Sequence, residues 1–303
     1  MKIIAISTTS FAEYDKSPLE LLERSGYKII TNPYGRKIKS EELVDLAKDA
    51  VGLIAGTESI DRNIISSLSR LRIISRCGVG LDNVDLEAAK YFNVKVVNTP
   101  DAPTLAVAEL TVGLILNLLR KINKMDSAIR CGQWQKLMGN LLFDKKIGII
   151  GFGRIGKKVA KLLKLFGCQI AYSDLNIKTV VSGFKYLPKE ELLRWADILT
   201  IHASSTDKIL GEKEFRILKK GAWLVNVSRG ETVEEAALFK ALKNNDIAGA
   251  AIDVFEDEPY SGMLKELDNV ILTPHIGSYA KEARITMELE AVRNLIQGLK
   301  EGA

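Results

Sequence analysis

Lys146-Ile-Gly-Ile-Ile-Gly151-Phe-Gly153-Arg-Ile-Gly156 is the stretch on which the fold turns. Lys146–Ile150 reads as a buried strand, and the glycines after it open a helix whose apolar positions are Ile155, Val159, Leu162 and Leu163. The first glycine permits a tight turn, the second lets a pyrophosphate approach the backbone, and the third allows close helix–strand packing. Free N–H groups and the positive end of the helix dipole then favour phosphate. Asp174 ends the following strand, 18 residues beyond Gly156. A carboxylate there accepts hydrogen bonds from both ribose hydroxyls and repels a 2′-phosphate. The pattern predicts a dinucleotide site that takes NAD in preference to NADP. A tight βα turn with a surface aspartate is the plain alternative.

Outward from this turn the same rhythm continues. Strands are predicted at Gln169–Ser173, Ile198–His202, Trp223–Val227, Ala248–Ile252 and Val270–Thr273. The first hundred residues form a separate βα series, with strands at Ile3–Ile6, Lys28–Thr31, Val51–Ala55, Arg72–Ser75 and Val94–Val97. Ser17-Pro-Leu-Glu20 reads as a capping box, Gly26 as the stop of that helix, and Ser40, Asp61 and Asp85 as further N-caps. Short apolar strands alternating with helices predict parallel sheets covered on both faces. Asn98-Thr-Pro-Asp-Ala-Pro103 breaks the series and reads as a crossing between domains. A helix from Thr104 to Lys121, apolar on nearly all sides, must be buried. Met125–Phe143, with Trp134, Leu137, Met138, Leu141 and Leu142, reads as an arm for a second subunit. The last helix, Ala280 to Leu299, has no strand after it and is expected to return to the first domain.

The bulk properties agree with a soluble two-domain protein. The 303 residues exceed what one core usually supports. A 47% hydrophobic and 27% charged composition excludes a disordered chain. The net charge of +5, without a dense basic block, argues against a nucleic-acid-binding face and suits an acidic small substrate. Cys77, Cys131 and Cys168 are odd in number and lack metal-type spacing, so they read as reduced thiols of a cytoplasmic protein with no metal centre. The N-terminal apolar run is too short for a signal peptide, and the most apolar helix falls short of a membrane span.

Three polar groups follow strands at the edge where ligands of doubly wound sheets bind. Arg229, in Val227-Ser-Arg-Gly, offers a planar fork for a carboxylate or an oxyanion; a surface salt bridge is its plain reading. His275 lies in Leu-Thr-Pro-His-Ile-Gly and is one of two histidines. A carboxylate bonded to such an imidazole fixes its tautomer. Glu258, restrained by Pro259, is the chosen partner, with Glu256 and Asp257 as alternatives. His202 ends a strand without an evident acid and reads as structural or cofactor-lining. In the first domain, Arg76-Cys-Gly78-Val-Gly80 can turn consecutive N–H groups toward one anion.

Taken together, these motifs closely resemble the D-isomer-specific 2-hydroxyacid dehydrogenases, and within them the phosphoglycerate dehydrogenase-like branch. The match runs over essentially the whole chain. It is carried by Arg76-Cys-Gly-Val-Gly-Leu-Asp-Asn-Val-Asp85, Gly151 to Gly156 with Asp174, Val227-Ser-Arg229-Gly, Asp253-Val-Phe-Glu-Asp-Glu258-Pro and Thr273-Pro-His275-Ile-Gly. The resemblance implies His275 as acid/base, Glu258 as its partner, and Arg229 as the group orienting substrate carboxylate and carbonyl. It implies Asp253 on the nicotinamide carboxamide and N–H groups of Val79 and Gly80 on substrate, with Arg76 and Gly78 beside them. The remaining cofactor shell is expected from Gly151, Gly153, Arg154, Ile155, Gly156, Asp174, His202, Ala203, Val227, Ser228 and Gly277. Two doubly wound parallel-sheet domains are implied. One is a discontinuous flavodoxin-like substrate domain, 1–98 with 277–303. The other is an inserted Rossmann NAD-binding domain, 99–276, whose arm at about 104–145 joins a homodimer.

The expected activity is NAD-dependent hydride transfer to or from a D-2-hydroxy acid. D-3-phosphoglycerate, the entry to serine biosynthesis, is the preferred substrate, and a glyoxylate or hydroxypyruvate reductase is the alternative. Closure of the two domains is expected to matter for rate. An NAD(H)-sensing binding protein is the alternative of another class, disfavoured by the intact Arg229, Glu258 and His275 set. A Rossmann methyltransferase is disfavoured by the glycine spacing. Two departures from the family stand out. Ala203-Ser-Ser-Thr206 lacks the usual proline after His202, and Gly56-Thr-Glu58 lacks an arginine suited to a phosphate. Arg76 and Lys136 remain as cations for one. No regulatory extension is expected beyond the closing helix.

Overall fold

The computed structural model describes residues 1–175 and 181–301. Residues 176–180 and 302–303, which the domain expectation includes, lie outside the described residues. The chain divides into two compact units, Met1–Pro103 with Ser278–Ala303, and Thr104–Gly277.

The first unit runs β1 (Ile3–Ile6), α1 (Ser17–Arg24), β2 (Lys28–Thr31), α2 (Ser40–Ala47), β3 (Ala50–Ala55), α3 (Arg62–Ser67), β4 (Ile73–Arg76), α4 (Leu86–Tyr91) and β5 (Lys95–Asn98). The second runs α5 (Thr104–Arg120), α6 (Ile122–Arg130), β6 (Lys146–Ile150), α7 (Arg154–Leu165), β7 (Gln169–Ser173), β8 (Lys185–Tyr186), α8 (Lys189–Trp195) and β9 (Ile198–Ile201). It continues through α9 (Glu212–Ile217), β10 (Ala222–Asn226), α10 (Glu235–Lys243), β11 (Ile247–Ile252) and β12 (Val270–Leu272). Helix α11 (Lys281–Glu301) belongs to the first unit and packs on β3, β4 and β5.

Both sheets are parallel throughout. The first has the order β2-β1-β3-β4-β5 and the second β12-β11-β10-β9-β6-β7-β8. These are the flavodoxin-like and Rossmann doubly wound orders, so the fold expectation holds. The central strands are continuously apolar because each has two buried faces. Ile4 and Ile6 face Leu22, Met287 and Leu295, whereas Ala5 faces Leu43, Ile64 and Ala88. In the second unit Ile147 and Ile149 pack with α5 and α7, while Leu199 and Leu224 pack with α8 and α10.

Local signals fared unevenly. Asp61 and Asp85 cap α3 and α4, accepting from Ile64 N at 2.9 Å and Ala88 N at 2.8 Å. Ser17 does not cap α1. It is the first helical residue, and its N–H donates to Asp15 Oδ1 at 2.7 Å. Ser40 is likewise inside α2, whose cap position is Lys39. Each cap lies one residue earlier than expected; Asp15 accepts from the first helical N–H of α1, and Glu42 reaches back to the cap residue's own N–H, Lys39 N, at 2.9 Å. Lys121, with φ of 54°, ends α5 and starts α6, which buries no residue. Beyond α6, Trp134, Met138, Leu141 and Phe143 are exposed. No described helix is long and apolar enough to cross a membrane.

Candidate active site

The glycine turn leaves β6 at the point where the sheet order reverses. Gly151 has φ of 88°, and a Cβ there would lie 2.6 Å from Ala203 N. A Cβ on Gly156 would lie 2.2 Å from Gly151 O, so helix and turn touch through backbone alone. Phe152 turns inward and stacks on Tyr172, with centroids 3.9 Å apart, which anchors the loop. A Cβ on Gly153 would meet nothing within 4 Å, so the floor before α7 is open. Arg154 and Ile155 begin that helix. Asp174, just past β7, accepts from Phe152 N at 2.6 Å and so joins the turn.

His202 ends β9 beside this floor. Its Nε2 lies 2.9 Å from Thr200 Oγ1, while its buried Nδ1 has no hydrogen-bond partner among the described residues. Burial pushes its pKa down to about 3, so the ring is neutral. An open cradle at a helix N-terminus, a neighbouring acid and an unsatisfied imidazole nitrogen fit a dinucleotide. Val227 and Ser228 are buried, and the Ser228 hydroxyl is turned inward onto Asn226 Oδ1 at 2.8 Å.

Three loops at the carboxyl edge of the same sheet carry the predicted catalytic groups. After β10, the carbonyl of Arg229 accepts from Asn226 Nδ2 at 3.0 Å and Thr232 Oγ1 at 2.6 Å, and its guanidinium Nη1 donates to Ser228 O at 2.8 Å. Gly230 lies against the next loop so closely that a Cβ would stand 2.0 Å from Phe255 C and 2.2 Å from Glu256 N. That second loop holds Glu258. The third, after β12, holds His275, whose Nδ1 lies 2.9 Å from Glu258 Oε2 and 3.1 Å from Oε1. Glu258 is thus the partner, and Glu256 and Asp257 are exposed loop acids. Glu258 Oε1 also accepts from Phe255 N at 3.1 Å. Nδ1 being taken, Nε2 is the ring nitrogen that can exchange a proton.

Asp253 ties the loops together. Its carboxyl is fully buried and accepts from Thr273 Oγ1 at 2.6 Å, Ile276 N at 2.9 Å and Gly277 N at 2.9 Å. Burial raises its pKa above the usual aspartate value, against the lowering effect of those donors. Asp253 and Gly277, both expected in the cofactor shell, are hydrogen-bonded to each other beneath the histidine. Asn226, Thr232 and Thr273 were not singled out. Their only signal was a lone polar residue at, or just beyond, the end of an apolar strand or turn.

In the first unit, Gly78 N donates to Thr99 Oγ1 at 2.8 Å, and Val79 O accepts from Asn98 Nδ2 at 2.7 Å. The N–H groups of Val79 and Gly80 make no hydrogen bond among the described residues. Arg76 folds over its own loop, its Nη1 donating to Cys77 O at 2.5 Å. At the end of β3, Glu58 is buried, and it accepts from the Ser7 hydroxyl and from Gly56 N at 3.0 and 3.1 Å. Among the described residues no cluster of His, Cys, Asp or Glu is placed to hold a metal ion.

The sequence model described as D-isomer specific 2-hydroxyacid dehydrogenase, NAD binding domain, matches residues 112–277. The chain belongs to the D-isomer specific 2-hydroxyacid dehydrogenase family. It is an NAD-dependent enzyme of that family. A glyoxylate reductase of Pyrococcus furiosus is 39% identical over 278 residues, covering 86% of this chain and 83% of that one. A D-3-phosphoglycerate dehydrogenase of Methanocaldococcus jannaschii is 39% identical over 276 residues, and the match spans 86% of this chain but 52% of that longer one. The crystal structure of the TT0316 protein from Thermus thermophilus superposes with a TM-score of 0.91 at 32% identity, covering 99% of this chain and 97% of that one.

Proposed function

We propose that this dehydrogenase reduces a short, unphosphorylated 2-oxo acid, glyoxylate or hydroxypyruvate, with NADH. The observation that carries the reaction is the His275–Glu258 pair, whose Glu258 loop also packs against the Arg229 turn. Residues of the glycine turn hold the dinucleotide, which when bound supplies or accepts the hydride. Arg229 grips the substrate carboxylate and polarises the carbonyl oxygen. In reduction, protonated His275 gives its Nε2 proton to the oxygen on which negative charge develops; in oxidation, neutral His275 takes it back. Glu258 holds Nδ1 and balances the imidazolium charge. Asp253 keeps the histidine loop in place from below. Within the first unit taken by itself, the N–H groups of Val79 and Gly80 can turn toward one anion.

Two observations favour the unphosphorylated substrate over the D-3-phosphoglycerate expected from sequence. The end of β3 offers a buried acid, Glu58, and Arg76 is bent back onto Cys77. The relative named for D-3-phosphoglycerate supports that second reading. NADH oxidation across glyoxylate, hydroxypyruvate, pyruvate and 3-phosphohydroxypyruvate separates the two. A kcat/KM highest for 3-phosphohydroxypyruvate rejects the first reading, and no turnover of any of the four rejects both. A homodimer formed through the exposed arm, and a cytoplasmic location suited to three reduced thiols, complete the proposal.

A further inference from the structure

We infer that Asn226 is the positioning residue for Arg229, acting through a buried side-chain amide that dictates the shape of the Ser228–Thr232 turn. The inference rests on Arg229 being the cation that grips substrate.

Asn226 is the last residue of β10 and is 1% exposed. Its side chain uses its whole hydrogen-bonding capacity on one turn. Nδ2 donates to Arg229 O at 3.0 Å and to Thr232 Oγ1 at 3.2 Å. Oδ1 accepts from Ser228 N at 3.1 Å and Ser228 Oγ at 2.8 Å. The orientation of the amide is forced, because Ser228 N–H can only donate and the Arg229 carbonyl can only accept. Thr232, fully buried, closes the ring by donating Oγ1 to Arg229 O at 2.6 Å. The two backbone groups that set the exit direction of the Arg229 side chain are therefore held by one residue.

No other side chain reproduces this. Aspartate would set an acceptor against the Arg229 carbonyl. Leucine, of similar shape, would leave the buried Ser228 N–H without a partner and take one donor from the Arg229 carbonyl, which would keep Thr232. The main-chain oxygen of Asn226 also accepts from Asp253 N at 2.9 Å. Side-chain replacement leaves that main-chain link to Asp253 in place.

The test is a double-mutant cycle on the full chain, with kcat and KM measured for glyoxylate and hydroxypyruvate. Asn226→Asp and Asn226→Ala are expected to lower kcat/KM at least tenfold, chiefly by raising KM, with the NADH Kd within about threefold. In the Arg229→Ala background the same changes should lower kcat/KM by less than twofold, since the group they position is gone. Thr232→Val, close in shape, breaks the Oγ1 leg and serves if the Asn226 variants do not fold. It is expected to lose severalfold alone and nothing further with Arg229→Ala. Losses that multiply with Arg229→Ala, or Asn226 and Thr232 variants of native kcat/KM, overturn the inference while leaving the role of Arg229 intact. Native activity in Arg229→Ala overturns both.

Discussion

His275 carries its ring on a left-handed backbone, φ of 53°, which a non-glycine residue holds only when its surroundings enforce it. Asp253 does the enforcing, through Thr273, Ile276 and Gly277 on either side. This suggests a clean substitution. Asparagine tolerates that backbone region but cannot act as an acid or base, so His275→Asn should keep the loop and remove only the proton transfer. Steady-state kinetics are expected to show kcat down by about 10² to 10⁴, with NADH affinity by fluorescence nearly native. Native turnover in this variant would remove His275 from the reaction. The other histidine gives a stability signal. Below an unfolded pKa of about 6.5 the unfolded chain takes up a proton at His202, whereas the folded chain does so only near about 3. Stability contributed by the neutral ring is therefore present above about pH 6.5 and is lost toward acid, by up to about 1.4 kcal/mol per pH unit. Urea unfolding at pH 7 and pH 5 should show a smaller drop for His202→Gln than for the native chain; equal drops would mean that His202 titrates while folded.

Elements meet here through glycines as much as through side chains. Placing a methyl on Gly230 would press backbone against backbone at Phe255 and Glu256. Gly230→Ala should destabilise by about 1–3 kcal/mol and lower kcat/KM at least tenfold, because the loop it displaces carries Glu258. A native melting temperature and native rate would show that the two loops are not held together. At the other end of the site, Asp174 closes β7 against the glycine turn. Asp174→Ala should narrow the preference for NADH over NADPH by at least tenfold in kcat/KM, and an unchanged ratio would place the ribose elsewhere. These elements were legible in the sequence for a physical reason. A phosphate-binding turn dictates glycine spacing, and Arg229, Glu258 and His275 each follow the end of an apolar strand. Asn226, Thr232 and Thr273 were not legible, since their use depends on which loops lie side by side. The caps at Ser17 and Ser40 were misplaced by one residue, because a residue type marks a helix start only to within a position or two. Strand β8, two residues at a sheet edge, is too short to carry any periodicity.

At the scale of the whole molecule, the segment after α6 poses the question of what covers it. Trp134 is 83% exposed, Met138 89%, Leu141 71% and Phe143 69%, all within ten residues of the second unit. Burying a large apolar side chain contributes about 1.5–3 kcal/mol, so four of them give about 6–12 kcal/mol per chain. Association costs about 4–15 kcal/mol, which one arm alone hardly offsets. A two-fold arrangement uses the same patch on both chains and closes on itself, doubling the gain without leaving a free sticky face. Sedimentation at micromolar concentration should therefore give the mass of two chains. Trp134→Ser with Met138→Ser removes the two most exposed of these groups, both far in sequence from Arg229, Glu258 and His275. That variant should shift the equilibrium toward one chain by at least a hundredfold in Kd. A native chain that sediments as a monomer, or a double variant with unchanged dimer affinity, would assign the arm to some other surface.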